Sequence, residues 1–183
     1  IIAVIVVLLL IYFVSTYNSL VSLRNKVKDS WAQIDVVLKN RNDLIPNLVE
    51  TVKGYAKHEE GTLEGVVEAR NKALSATTRE EEIEASGEVT KALSRLFALT
   101  ESYPELKANT NFADLSEELR NTENKISFSR QFYNDSVTRY NTKLELFPSN
   151  LVAGMFNFQP RELFAVENAE VRKNVKVDFG KNA

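Results

Sequence analysis

Few residues in this 183-residue chain could do chemistry. There is one histidine and no cysteine. Thiolate metal sites, thiol nucleophiles and disulfides are therefore excluded. His58 is followed by Glu59, but Thr62 stands where a second zinc-binding histidine would fall, so the HExxH pattern is absent. A di-iron bundle site needs a Glu-x-x-His pair on each of two helices. The residue three before His58 is Tyr55, and no second histidine exists. Carboxylate-only Mg²⁺ or Ca²⁺ binding is the remaining metal chemistry, and nothing in the spacing favours it. Neither GxSxG, nor a P-loop, nor GxGxxG occurs. The run REEEIE reads as a helix N-terminus, where acids complement the helix dipole. No catalytic, cofactor or metal residues are assigned, and the reading is of a non-enzyme. A net charge of −2, with basic residues scattered along the chain, gives no basis for nucleic-acid binding.

The polar residues that do stand out lie in RNTENKISFSRQFYNDSVTRYN. Asparagine is a poor helix former, yet Asn121, Asn124, Asn134 and Asn141 sit among aromatic and aliphatic residues. A polar network that fixes helix register explains them best, and a ligand or partner surface is the alternative.

The elements that must position these residues are helical. Six Gly and four Pro are too few for an all-β fold. Residues 1–14, IIAVIVVLLLIYFV, are apolar except for one tyrosine hydroxyl. As a helix they span about 21 Å, against about 30 Å of hydrocarbon. The chain starts at Ile1 rather than Met. A membrane span is expected, over residues 1–17 and completed by residues upstream, with Tyr12 and Tyr17 at the interface. A cleaved signal peptide lacks its small-residue site here. A core helix would need more apolar surroundings than the rest of the chain supplies. Arg24, Lys26 and Lys28 follow the run, which leans toward a cytoplasmic body.

Residues 18–147 read as an antiparallel up-down four-helix bundle. The first helix leaves the membrane without a break, carrying Leu20, Val27, Trp31, Ile34 and Leu38 on one stripe. It is expected to stop near KNRND, with Asp43 capping a second helix and Pro46 in that helix's first turn. One helix continuing through Pro46 is the alternative. The second helix carries Leu48, Val52, Leu63 and Val66, with a break near Gly61. Thr78 and Glu81 form a capping-box pattern for the third, which stops at Pro104. Asn111 and Asp114 are expected to cap the fourth, whose seam runs from Phe112 through Ile126, Tyr133 and Tyr140 to Phe147. Residues 148–183 lose the helical period. They are expected to form a largely non-helical arm lying on the bundle or on a neighbouring subunit, with Val175, Val177 and Phe179 in an extended stretch.

The segments YNSLVSLRNKVKDSWAQIDVVLKNRNDLIPNLVETVKGYAKHE, EARN and LRNTENKISFSRQFYNDSVTRYN, with the ending FAVENAEVRKNVKVDF, closely resemble the LemA family of bacteria. The resemblance covers nearly the whole chain. It implies one N-terminal membrane helix in the bacterial inner membrane and an antiparallel four-helix bundle, and it supplies no catalytic set. The residues matching its most characteristic motifs are Asp43, Leu44, Ile45, Pro46 and Asn47, then Glu123, Asn124, Ile126, Arg130, Tyr133, Asn134 and Asn141. They are read as structural or interaction positions.

The function expected from all this is a membrane-anchored scaffold acting through protein contacts, as a homo-oligomer in the bilayer. An adaptor or sensor for another membrane machine, such as an envelope protease, is the alternative.

Overall fold

The structure is a computed structural model and describes residues 1–164. Six helices and no strand occur among them: α1 (Ile2–Lys53), α2 (Glu60–Ser75), α3 (Arg79–Thr100), α4 (Pro104–Lys107), α5 (Thr110–Glu145) and α6 (Ser149–Met155), with residues 156–164 non-helical. The α1 helix has 52 residues, which makes it about 78 Å long. Residues 1–12 are all exposed, so this end of α1 is not a buried core helix. Among the described residues α1 alone is long and apolar enough to cross a membrane.

The expected break at residues 40–43 does not occur. Asp43 lies inside α1, exposed, and caps nothing; Pro46 is in the helix interior. Two features carry the helix through. The stripe Ile34, Leu38, Arg41, Ile45, Leu48 and Val52 keeps its 3–4 spacing across KNRND, and every member is buried. Pro46 has no N–H, so the Asn42 carbonyl loses its helical donor. Arg70, reaching over from α2, donates its Nε–H to that carbonyl at 2.8 Å.

This substitution of donors is testable. Arg70→Met should cost about 1.5–3 kcal/mol, the range for a hydrogen bond to a charged group. In a Pro46→Ala background the backbone N–H returns and the same substitution should cost much less. Urea unfolding of the four proteins in mild detergent reads the difference. Equal costs in both backgrounds would contradict the pairing.

The chain actually turns at residues 54–59. The expected second helix is thereby split between the end of α1 and α2, with Gly61 inside α2. The capping box at α3 forms as read: Thr78 Oγ1 accepts from Glu81 N, and Glu81 Oε2 accepts from Thr78 N. The α3 helix ends at Thr100, and Pro104 opens the single turn α4 instead of ending α3. That turn moves the start of the next helix. Asn109, not Asn111 or Asp114, caps α5, accepting from Phe112 N at 2.9 Å. The arm is not wholly non-helical, because it begins with α6. The expected extended stretch at 175–179 lies outside the described residues.

The packing follows the pairing of α1 with α5. Thr51 meets Asn111, Arg41 meets Glu123, and Trp31 meets Tyr133. Far from the apolar end, α1, α2, α3 and α5 enclose one apolar cluster that includes Ile45, Leu48, Val66, Leu93, Leu96 and Leu119. A second cluster, with Trp31, Ile34, Ile126, Tyr133 and Tyr140, lies between α1 and α5 and takes Phe164 of the arm. At the base Leu20 packs on Val152 and Ala153 of α6. The α2–α3 pair therefore encloses one half of the α1–α5 pair, and the arm encloses the other.

Candidate functional site

Two polar arrangements lie along α1 and α5. The first is where the two apolar clusters meet. Arg41 occupies a seam position of α1 and is fully buried. Its Nη1 donates to Glu123 Oε1 at 2.9 Å and to Thr90 Oγ1 at 3.0 Å. Its Nη2 donates to the Ser86 carbonyl and hydroxyl at 3.2 and 3.1 Å. Arg130 of α5 donates to the same hydroxyl at 2.7 Å. Two guanidiniums thus share one serine, and Glu123 is the carboxylate beside them. Burial lowers the pKa of Arg41, and Glu123 opposes the shift. Burial and then the charge of Arg41 lower that of Arg130. The junction ties α1, α3 and α5 at one height, which is a register-fixing role.

Beside it a cavity of about 210 Å³ is lined by Asp35, Asn42, Glu82 and Ser86, among others. Burial raises the pKa of Asp35, and burial followed by the charge of Asp35 raises that of Glu82. Both carboxyls move the same way. Among the described residues no group of three or more His, Asp or Glu is placed to hold a metal ion. His58 is exposed in the turn after α1.

The second arrangement is a ladder on α5. Tyr133 donates its hydroxyl to the Glu162 carbonyl at 3.0 Å, and Tyr140 donates to that of Gln159 at 3.0 Å. Asn134 grips Phe164 twice: its Nδ2 donates to the carbonyl at 3.1 Å, and its Oδ1 accepts from the N–H at 2.7 Å. Asn141 grips Arg161 in the same way, at 2.7 and 2.9 Å. The two Tyr-Asn pairs are seven residues apart on the helix, a rise of about 10.5 Å. Their targets are three residues apart on the arm, about 10 Å of extended chain. The two repeats match. Every bond goes to the arm's main chain, so the ladder reads an extended backbone rather than particular side chains. Phe164 adds the selective contact: it lies against Trp31 and beneath the Arg130 guanidinium, 4.4 Å from ring centroid to cation.

The sequence of this body matches the LemA family over residues 30–179. The chain belongs to the LemA family. The match takes in both the junction and the ladder. Among similar proteins, Protein LemA of Metamycoplasma hominis is 24% identical over 159 residues, covering 86% of this chain and 73% of its own length. Magnetosome protein MamQ 2 of Paramagnetospirillum magneticum is 23% identical over 191 residues, covering 88% and 70%. Magnetosome protein MamQ of Magnetospirillum gryphiswaldense is 22% identical, covering 86% and 69%. Neither name is that of an enzyme. The one long apolar helix is consistent with a single-pass membrane protein.

In this LemA-family chain the motif residues fall in different places. Asp43, Pro46 and Asn47 are on the exposed side of α1, Leu44 is half-buried, and Ile45 is in the core. Glu123 and Arg130 meet at the junction, with Ile126 buried between them. Tyr133, Asn134 and Asn141 form the ladder with Tyr140. Asn124 is exposed and joins neither. The asparagines are therefore not a network between the helices; Asn134 and Asn141 hold the arm. Arg41, Ser86, Thr90 and Arg70 were not among the expected positions. Arg41 was legible as a charged residue at a seam spacing, and Arg70 lies in the EARN motif.

Proposed function

We propose that this protein is a membrane-anchored, non-enzymatic scaffold whose body is an up-down antiparallel four-helix bundle of α1, α2, α3 and α5, and which works as a homo-oligomer. The observation that carries the reading is an open apolar face on the outer side of the α1–α5 pair. Phe128 is 74% exposed and Val36 59%, and they line a shallow groove with Ala32, Val37, Gln33 and Lys125; Phe132, 42% exposed and with Lys26 over its ring, is on the next turn of α5. Because α1 is unbroken from its apolar end to Lys53, every anchored copy holds this face at the same height above the bilayer. Confinement to one plane raises the effective concentration of copies, so a modest contact suffices. A second copy presents the same face at the same level, which suits a two-fold contact. Arg41, Glu123 and Arg130 are engaged in holding α1, α3 and α5 together, and Asn134 and Asn141 in holding the arm.

Crosslinking in native membranes through thiols introduced at Val36 and Phe128 tests the partner. Links between copies are expected. Links only to other proteins would contradict self-assembly and favour an adaptor for another membrane machine.

A further inference from the structure

The segment 146–160, LFPSNLVAGMFNFQP, contains no charged residue. Its inner side is used: Ser149, Val152 and Ala153 are buried, and α6 packs on Leu20 of α1. Its outer side is apolar and bare. Phe147 is 79% exposed, Met155 71% and Leu151 59%, and Leu146 and Phe156 are about half exposed. Such a group of large side chains on one small element marks a contact surface.

The position of the patch says what covers it. Phe156 lies 4.6 Å from Tyr17 and 5.8 Å from Phe13, ring centroid to centroid. Those residues end the exposed apolar stretch of α1, so the patch continues the surface that faces lipid. The charges just beyond it are mixed: Arg24 lies over Phe158 at 5.2 Å, Lys143 is in the last turn of α5, and the exposed Glu145 ends that helix. An apolar face at the level where a span leaves the hydrocarbon, flanked by charged side chains that can reach water, has the pattern of an interfacial segment.

We propose that α6 and its flanks, residues 146–156, are a second membrane contact, lying in the lipid–water interface beside α1. The proposal rests on α1 being the membrane anchor. The bilayer surface then lies near Tyr17, and the body is held upright at two points instead of pivoting on one helix. The apolar side would sit about 5–10 Å into the headgroup boundary.

The absence of cysteine makes the test direct. The full chain carrying Met155→Cys, and separately Leu151→Cys, is labelled with an environment-sensitive dye and reconstituted in vesicles of zwitterionic and anionic phospholipid. Labels at Leu8→Cys and Glu105→Cys serve as references for the span and for the far end of the body. At positions 155 and 151 the emission should shift to the blue. Most of it should be lost to lipids carrying a nitroxide near the headgroup, and less to lipids carrying one deep in the chain. The Glu105 label should respond only to aqueous iodide. Iodide quenching without lipid quenching at 155 and 151 overturns the proposal. Shielding from both quenchers overturns it too, because a protein surface would then cover the patch. An unquenched Leu8 label removes the anchor itself and the second contact with it, whereas quenching at Leu8 alone removes only the second contact.

Discussion

Glu123→Ala should cost the folded body about 3 kcal/mol, the lower end of the range for removing one partner of a buried ion pair. The low end applies because the Glu123 side chain is about a third exposed, whereas that of Arg41 is fully buried. The substitution leaves the Arg41 charge in the interior beside a second guanidinium, with only hydroxyl and carbonyl oxygens as partners. Arg41→Met should cost far less, because replacing a buried charge by an apolar side chain of similar volume is often close to neutral. It removes the buried charge, fills similar volume, and leaves Glu123 able to reach water and still near Arg130. The double variant should resemble Arg41→Met alone, because the two sites are coupled. Urea unfolding of the full chain in mild detergent, followed by helical ellipticity, reads all three. Equal losses for the two single variants would contradict the unequal burial on which the expectation rests.

Tyr133→Ala should cost about 3–5 kcal/mol, the usual range for deleting a buried aromatic ring. Tyr133 is 2% exposed and packs edge-on to Trp31 at 5.1 Å. Its loss opens a void between α1 and α5 and removes one rung of the ladder. Tyr133→Phe keeps the ring and loses only the bond to Glu162, so about 1 kcal/mol is expected. The two effects can be separated by trypsin. Arg161 is gripped through its main chain by Asn141, one rung away. Cleavage after it should quicken greatly in Tyr133→Ala and slightly in Tyr133→Phe. A Tyr133→Ala protein as stable as the parent would show that this face of α5 is not core.

How much of this was legible in the sequence depends on the range of the interaction concerned. The capping box at Thr78, the apolar start and the α5 seam from Phe112 to Tyr140 are local patterns that the structure keeps, but Phe147, expected to end that seam, lies beyond α5 and is 79% exposed because the helix stops at Glu145. The break assigned at KNRND was wrong because two local signals, a polar cluster and a proline, were outweighed by partners distant in sequence. Arg41 is a core residue only because Ser86, Thr90 and Glu123 meet it there. Pro46 is tolerated mid-helix only because Arg70 replaces the lost donor. The start of α5 was misplaced by two residues because the turn at Pro104 is set by burial of Leu106, which no pattern announces. The ladder is the instructive case. Tyr-Asn repeated at seven residues is plain in the sequence, but its meaning needs the arm, whose extended backbone supplies the matching repeat. Asn124 shows the converse, a motif residue that the fold leaves exposed and unassigned.

The anchored chain is expected to associate with itself through the Val36–Phe128–Phe132 face. Light scattering of the purified full chain in mild detergent, with the detergent contribution subtracted, measures this most directly. A particle containing two or more chains is expected, reduced to one chain by Phe128→Glu with helical content unchanged. A particle of one chain at high protein concentration, or an assembly indifferent to Phe128→Glu, would contradict the account.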